Sequence, residues 1–265
     1  MKTQTIRQQR KRWKRQISTA TREAVHETGL EWTDWDLDVV RDMSSDLAIR
    51  ADSFKTKLLF NVQPWYSGGV KEYVRSPRGS WAYINSVVYR PVPHFGSDGH
   101  TFFDGPVIIP VLRDLRLSLG VRLPESMPEQ ERLLLGAVWM SVTPAEMISQ
   151  SSGIRRAKGK VLVGGLGLGW FLEQVCNRDD VDEVVVVERS QELLDWYGYR
   201  LCRNHDKVRD VICDDVYAVV DRFPDHQLLL DIWPTYGGDD GAEGDERLAA
   251  LRKTAGDRVW AWGMD

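Results

Sequence analysis

The second half of the chain alternates between short apolar runs and amphipathic segments. Five runs rich in Val, Ile and Leu follow one another from Gly159 onward: "KVLVGG", "DEVVVVE", "RDVICD", "HQLLLDIW" and "RVWAWGM". The segments between them have the spacing of amphipathic helices: "GWFLEQVCN", "QELLDWYGYRLC", "DVYAVVDRF" and "DERLAALRKTAG". Strands that are apolar on both faces and alternate with helices indicate a parallel sheet covered on each side. With right-handed crossovers, the pattern predicts an α/β fold, a Rossmann-like doubly wound parallel sheet that is short, at about five strands.

The region before this sheet has a different pattern. It contains short runs of β type, "WDLDVV", "KTKLLFNV", "SWAYINSVVYR" and "GPVIIPVL". Turn formers such as "SGG", "SPRGS" and "FGSDG" separate these runs. We therefore divide the chain into a basic N-terminal arm at 1–29, a strand-rich N-terminal region at 30–142 and a Rossmann-like domain at 143–265.

The Rossmann-like domain opens on a helix start signal in "MSVTPAEMISQ". Thr143 suits the N-cap, Pro144 suits the first helical position, and Glu146 stands where its side chain can reach back to the cap amide. The pattern predicts a helix that begins at Thr143 and leads into the first parallel strand.

A glycine-rich turn, "VLVGGLGLGW", follows that first strand. In open α/β sheets the ligand lies at the carboxyl ends of the strands, and glycines at Gly165, Gly167 and Gly169 allow it to approach the backbone. A dinucleotide fingerprint, GxGxxG, would need a third glycine where Trp170 stands. The spacing here is GxGxG, the pattern of S-adenosylmethionine (SAM) sites, where no pyrophosphate has to be neutralised.

Acidic residues stand at the ends of the next three strands. Glu188 ends the second strand, nineteen residues after Gly169, where a carboxylate can accept both hydroxyls of a ribose. Asp214 ends the third strand and is a candidate acceptor for an adenine amino group, while Asp215 can cap the following helix. Asp231 ends the fourth strand, beside the expected place of a reactive sulfonium. The alternative is a scaffold with an empty site, in which these acids are solvated strand ends.

With these residues the sequence resembles class I SAM-dependent methyltransferases, especially the branch shared with spermidine synthases. It is also similar to uncharacterised methyltransferase-like proteins of bacteria and phages that have the TPxE helix before the glycine turn. The resemblance covers about 143–234. It implies SAM as cofactor, with the three glycines beside its methionine part, Glu188 on the ribose, Asp214 on the adenine amine and Asp231 at the reaction centre.

The sequence departs from the spermidine synthase pattern at two places. Those enzymes have an acid inside the glycine turn where this chain has Leu168, and a second acid after the fourth strand where this chain has "DIWP". A polycationic amine has little to balance its charge without them. A methyltransferase with an unidentified acceptor is therefore our first hypothesis, and a spermidine synthase-like aminopropyltransferase is the alternative.

The methyltransferase pattern is also incomplete. Many such enzymes have an acid where this chain has Val163, and "DIWP" differs from the (D/N/S)PP(Y/F) motif of enzymes that methylate amino groups of nucleic acids. Methyl transfer needs alignment of donor and acceptor, and a base only if the acceptor loses a proton. Asp231 is the candidate base, with Trp233 and Tyr236 as walls or hydrogen-bond donors. Asp231 could instead only contact the cofactor ammonium, and Trp233 could simply pack.

Charge is distributed unevenly along the chain. The net charge is -4, but residues 1–25 carry eight Lys/Arg and one acid, so this segment is +7 and the remainder is -11. A basic arm on an acidic body suggests nucleic acid as a partner through residues 1–25, although a solvated helix has the same composition. A non-catalytic protein that binds nucleic acid through this arm is the third hypothesis.

The remaining features narrow the class of protein. No apolar run is long enough to cross a membrane, no signal-peptide pattern is present, and three scattered cysteines suggest a reducing compartment, so we expect a cytoplasmic protein without a membrane partner. The absence of GxSxG and P-loop motifs excludes α/β-hydrolases and P-loop NTPases. His94, Asp98, His100 and Asp104 match no metal-ligand spacing, and we expect no metal site.

Overall fold

The computed structural model describes most of the chain from residue 72 onward and a few short segments before it. The described residues are 28, 47–49, 51, 54, 56–64, 72–88, 92–93, 100–103, 106–118, 121–234 and 241–264. Apart from Thr28, the basic arm at 1–29 lies outside them. The proposed contact of residues 1–25 with nucleic acid therefore stays a prediction.

The described part of the N-terminal region forms three small sheets. Strands β2, β3, β6 and β9 make an antiparallel sheet in the order β2-β3-β6-β9, while β1, β5 and β4 form a second sheet and β7 and β8 a hairpin. The elements in chain order are β1 (Leu47–Ile49), β2 (Val74–Arg75), β3 (Trp81–Val88), β4 (Val92–Pro93), β5 (His100–Phe103), β6 (Val107–Asp114), β7 (Leu117–Ser118), β8 (Val121–Arg122), α1 (Glu129–Leu135) and β9 (Ala137–Ser141). "SWAYINSVVYR" and "GPVIIPVL" thus supply the paired central strands β3 and β6.

One of the predicted N-terminal strands is wrong. "KTKLLFNV" has a β-type composition, but its described residues, 56–62, form no strand. Side chains of β3 bind its backbone instead: Asn85 Nδ2 donates to the carbonyl oxygens of Phe60 and Val62 (3.3 and 3.1 Å), and Tyr83 Oη accepts from the amide of Leu59 (3.2 Å). Because these groups satisfy the backbone, the segment needs no neighbouring strand.

The second half contains the predicted parallel sheet of five strands. All neighbouring strands are parallel, and their order is β12-β11-β10-β13-β14. The chain thus adds β11 and β12 on one side of β10 and then crosses to the other side, where β13 and β14 lie. The elements are α2 (Pro144–Arg156), β10 (Gly159–Gly164), α3 (Trp170–Cys176), β11 (Val181–Glu188), α4 (Gln191–Leu193), a π-helical turn (Leu194–Gly198), α5 (Tyr199–Cys202), β12 (Val208–Cys213), α6 (Val216–Val219), β13 (Gln227–Leu230), α7 (Glu246–Ala255) and β14 (Val259–Ala261). The structure is thus mixed α/β.

Successive strand residues divide between two apolar layers. Val161 and Val163 of β10 belong to a cluster that contains side chains of α2, α3 and the π-helical turn. Leu162, between them, belongs to a second cluster with side chains of α6 and α7. Since each fully buried Val or Leu side chain contributes about 1.5–3 kcal/mol, both faces of the sheet hold the helices in place.

One of the links between the antiparallel sheet and the helices of the parallel sheet is a carboxylate. Glu192 Oε1, in α4, accepts hydrogen bonds from Ser76 Oγ (2.5 Å) and from the amides of Arg78 and Ser80 (2.9 and 3.2 Å). These donors lie in the turn between β2 and β3. A buried carboxylate with three donors is a strong bond between the two parts of the chain.

The predicted capping box of α2 is confirmed. Thr143 Oγ1 accepts from the amide of Glu146 (3.2 Å), and Glu146 Oε2 accepts from the amide of Thr143 (3.1 Å). Ser141 adds two donors to the Glu146 carboxylate through its amide and its hydroxyl. The cap therefore fixes the orientation of a charged side chain as well as the start of the helix.

We expect Thr143→Ala to lower the free energy of unfolding by about 1 kcal/mol, because the amide of Glu146 loses its acceptor. Thr143→Ser keeps the hydroxyl and is the control, with a loss of less than half as much. Urea unfolding measures both, and equal stability of the two variants would mean that the cap contributes nothing.

None of the helices in the described part of the chain combines the length and the apolar character that a membrane span requires.

Candidate functional site

The residues expected to form a site lie at one edge of the parallel sheet. Glu188 is the last residue of β11, Asp214 follows β12, and Asp231 follows β13. The glycine turn follows β10, which lies between β11 and β13. In the β11–β12 register Glu188 is opposite Cys213, so Asp214 stands one residue beyond it. The topology thus brings the turn and the three acids to the carboxyl edge, where ligands bind in open α/β sheets.

All three predicted glycines of the turn are required by the conformation and packing of the chain itself; Gly169 has φ 82°, and a Cβ there would overlap the side chain of Leu201. Gly165 has φ 89° and Gly167 has φ 49°, conformations that side chains rarely adopt. A Cβ at Gly165 would overlap the carbonyl oxygen of Asp231, and one at Gly167 would overlap Met140 Sδ. The glycine spacing predicts the approach of a ligand, but atoms of the protein also occupy the places where side chains would go.

Glu188 holds the glycine turn. Its Oε2 accepts from the amide of Leu166 (2.9 Å), and its Oε1 accepts from the amide of Ser190 (2.7 Å). The side chain is buried, with 9% of its surface exposed. Burial raises the pKa of Glu188 although these amides favour the charged form. Glu188 is therefore a carboxylate oriented by the backbone of the turn.

Asp231 forms a polar group with two residues of α2. Gln150 Nε2 donates to Asp231 Oδ2 (2.5 Å), and Gln150 is buried. Burial raises the pKa of Asp231 to about 7, and the negative charge of Glu146 contributes to the rise. Burial also raises the pKa of Glu146. Gln150 was not predicted as a site residue, although its spacing of four residues from Glu146 places both on one face of α2.

Two further residues that contact the turn were not predicted from the sequence. Tyr197 Oη donates to the carbonyl oxygen of Gly167 (2.6 Å), and Met140 Sδ accepts from the amide of Leu168 (3.0 Å). Burial, together with the nearby Glu188, raises the pKa of Tyr197 well above its ordinary value. These contacts join positions 30 and 28 residues apart, so no local spacing points to them.

Asp214 and Asp215 have different surroundings. Asp214 is exposed, and its Oδ1 accepts from the amide of Asp215 (2.7 Å). Asp215 caps α6 by accepting from the amide of Tyr217 (3.0 Å), as predicted, and it also pairs with Arg247 (3.1 Å). Asp215 is thus used by the fold, and Asp214 remains open to a ligand.

The segment after Asp231 is attached to the start of α7. Trp233 Nε1 donates to Asp245 Oδ2 (3.2 Å), and Asp245 is the N-cap residue of that helix. The indole N–H of Trp233 therefore already has an acceptor within the chain. Tyr236 lies outside the described residues, as do His94, Asp98 and Asp104, and the role of Tyr236 stays a prediction.

Comparison with known proteins adds little to this geometry. Neither a protein-family model nor a curated protein sequence matches the chain. A weak structural likeness exists to the crystal structure of wild-type Trm5b from Pyrococcus abyssi, with 9% identity and a TM-score of 0.30. The likeness covers 66% of this chain and 56% of the Trm5b chain, so this chain spans little more than half of that protein. Such a distant likeness identifies no family, and the function has to be inferred from the site.

Proposed function

We propose that the chain is a SAM-dependent methyltransferase built on a Rossmann-like doubly wound sheet. The observation that supports this most is the position of the glycine turn between two carboxylates, Glu188 and Asp231, at the carboxyl edge of the sheet. Hydrogen bonds connect the turn and the end of β10 to both neighbouring strand ends. The amide of Leu166 donates to Glu188, and the amide of Asp231 donates to the carbonyl of Gly164 (2.9 Å). Two acids around one turn suit a ligand with hydroxyl and ammonium donors.

The residues present fit the cofactor. Each oxygen of Glu188 accepts one amide at hydrogen-bond distance, and the amide of Arg189 also stabilises the charged form. A carboxylate oxygen can accept a second hydrogen bond, so Glu188 can still accept a ribose hydroxyl. Of the three glycines assigned to the methionine part, Gly165 and Gly167 are partly exposed, so their backbone is accessible, whereas Gly169 is buried. Asp214 would accept the adenine amine. Met140 lies on the amide of Leu168, so the cofactor would contact the turn beside this side chain.

We assign Asp231 as the base that takes a proton from the methyl acceptor. Gln150 holds Oδ2, and among the described residues none donates to Oδ1. With its pKa raised to about 7 by burial, the carboxyl group can take a proton from an acceptor near neutral pH. SAM, when bound, supplies an electrophilic methyl group. The chain itself would align the acceptor, accept its proton on Asp231 and exclude water.

The alternative of aminopropyl transfer finds less support in the site. Leu168 stands where spermidine synthases have an acid, and it is buried, with 5% of its surface exposed. Gln150, a neutral residue, contacts Asp231 from the facing helix. A polycationic amine would thus meet few uncompensated carboxylates.

Calorimetry with SAM, S-adenosylhomocysteine and decarboxylated SAM tests the proposal. We expect SAM and S-adenosylhomocysteine to bind with dissociation constants of about 1 μM to 1 mM, the usual range for enzyme substrates. Decarboxylated SAM should bind more weakly. Tighter binding of decarboxylated SAM would favour aminopropyl transfer, and no heat with any of the three at several millimolar would contradict both enzyme hypotheses.

A further inference from the structure

A cleft lies at the edge of the parallel sheet opposite to the candidate cofactor residues. It is a cleft of about 450 Å³ between the end of α2 and the first residues of β10, β13 and β14. Its lining includes Arg155, Arg156, Lys158, Arg258, Asp257 and Trp260. Since the candidate cofactor residues are at the carboxyl ends of the strands, this cleft at their amino ends is separate from them.

The cleft is lined mainly by cations, although the chain outside its basic arm is acidic. Four cationic side chains and one carboxylate line it, whereas the chain outside residues 1–25 has a net charge of -11. Arg155 and Arg156 belong to the last turn of α2, where cations stabilise a helix end. That explanation does not extend to Lys158 and Arg258, because they belong to other segments.

Two residues that line the cleft, Trp260 and Arg258, are fixed by contacts with other parts of the chain. Trp260 is buried, donates through Nε1 to Ser152 Oγ (2.9 Å) and stacks on Phe171 with ring centroids 5.4 Å apart. Arg258 Nη1 donates to the carbonyl oxygen of His226 (2.7 Å). The packed indole ring of Trp260 and the hydrogen-bonded guanidinium of Arg258 indicate a preformed cavity with a fixed positive charge.

Two of the other cations are available to a ligand. The side chains of Arg156 and Lys158 are exposed, and in the described part of the chain neither forms a salt bridge. Guanidinium and ammonium groups bind phosphate oxygens through charge-assisted hydrogen bonds. Several cations around one cavity thus match a ligand with more than one phosphate.

We propose that this cleft binds adjacent phosphate groups, either of a polyphosphate chain such as that of a nucleoside triphosphate or of a nucleic acid backbone. The site extends beyond the methyltransferase proposal, because it uses none of the residues assigned to the cofactor or the acceptor. The volume of about 450 Å³ is within the usual range for small ligands, about 300–1,000 Å³, and the wide charge distribution suits an extended anion.

Calorimetry with inorganic tripolyphosphate on the full chain tests the cleft. We expect binding by the wild type and at least about tenfold weaker binding by R156Q/K158Q, which removes two charge-assisted contacts. The control is R203Q/R209Q, which removes the same charge from exposed positions after α5 and in β12 and should stay within about twofold of the wild type. No binding by the wild type at several millimolar, or an equal loss in both variants, would overturn the proposal.

A second measurement distinguishes the sources of phosphate. A fluorescent single-stranded oligonucleotide is titrated at several salt concentrations with the wild type and both double variants. If the backbone is the ligand, R156Q/K158Q alone lowers the affinity and the salt dependence. An unchanged affinity for the oligonucleotide with weaker tripolyphosphate binding assigns the cleft to small polyphosphates. SAM binding of R156Q/K158Q should equal that of the wild type, so failure of either proposal leaves the other testable.

Discussion

Replacing Glu188 by alanine is expected to lower the free energy of unfolding by about 2–4 kcal/mol, because the amides of Leu166 and Ser190 lose their acceptor in a buried place. Both amides donate to the Glu188 carboxylate at 2.9 and 2.7 Å. The matched control is Asp182→Ala, which removes an exposed carboxylate from the same strand. Its stability should stay within about 0.5 kcal/mol of the wild type in urea unfolding.

The same carboxylate is assigned to the cofactor ribose, so alanine tests two roles at once. Glu188→Gln separates them, since it keeps one acceptor oxygen for the turn and loses the charge. We expect this variant to unfold at a urea concentration between those of the wild type and Glu188→Ala. Its SAM affinity should fall by about 1–3 kcal/mol, the usual loss for a hydrogen bond to a charged group.

Two combinations of results have clear meanings. A stable Glu188→Gln protein with weakened SAM binding supports the ribose assignment, because the turn would be intact. If Glu188→Ala matched the wild type in both stability and SAM affinity, Glu188 would contribute neither to the turn nor to the cofactor site, and the cofactor would have to lie elsewhere. Stability measured without SAM keeps the two effects independent.

The parallel sheet could be predicted because each strand carries its own signal. A continuous run such as "DEVVVVE" is apolar on both faces, and this occurs where helices cover both sides of a strand. Val184 and Val186 face one apolar cluster while Val185 and Val187 face the other. The capping box at Thr143 could also be predicted from the sequence, since all its groups lie within four residues.

Contacts between distant segments could not be predicted in this way. Gln150 and Asp231 are 81 residues apart, and their hydrogen bond depends on how α2 crosses the sheet. The segment "KTKLLFNV" was predicted as a strand from its composition, yet strand formation needs a partner, and the side chain of Asn85 takes that place. Local pattern thus predicts elements better than it predicts the neighbours of a site residue.

Asp231→Asn is expected to stabilise the protein by about 2–4 kcal/mol at pH 8 and hardly at all at pH 4. Burial and the charge of Glu146 raise the pKa of Asp231 from 3.8 to about 7. In the folded protein the carboxyl group thus keeps its proton up to about pH 7, whereas the unfolded chain releases it near pH 4. Stability therefore falls as the pH rises across this interval and stays lower above it.

Asparagine removes this dependence because it carries no charge at any pH. Its amide oxygen can still accept from Gln150 Nε2, so the contact with α2 is kept. Urea unfolding of the wild type and the variant between pH 4 and 8 measures the difference. Asp214→Asn is the control, because it neutralises an exposed acid at the same edge of the sheet.

The stability result bears on function because it separates two reasons for a carboxylate at this position. An acid that only supports the fold would make Asp231→Asn less stable at every pH. A more stable variant that binds SAM but transfers no methyl group in an acceptor screen would mean that the acid is present for chemistry, at the expense of stability. Equal stability of variant and wild type at pH 8 would contradict the raised pKa, and with it the assignment of Asp231 as a base that works near neutral pH.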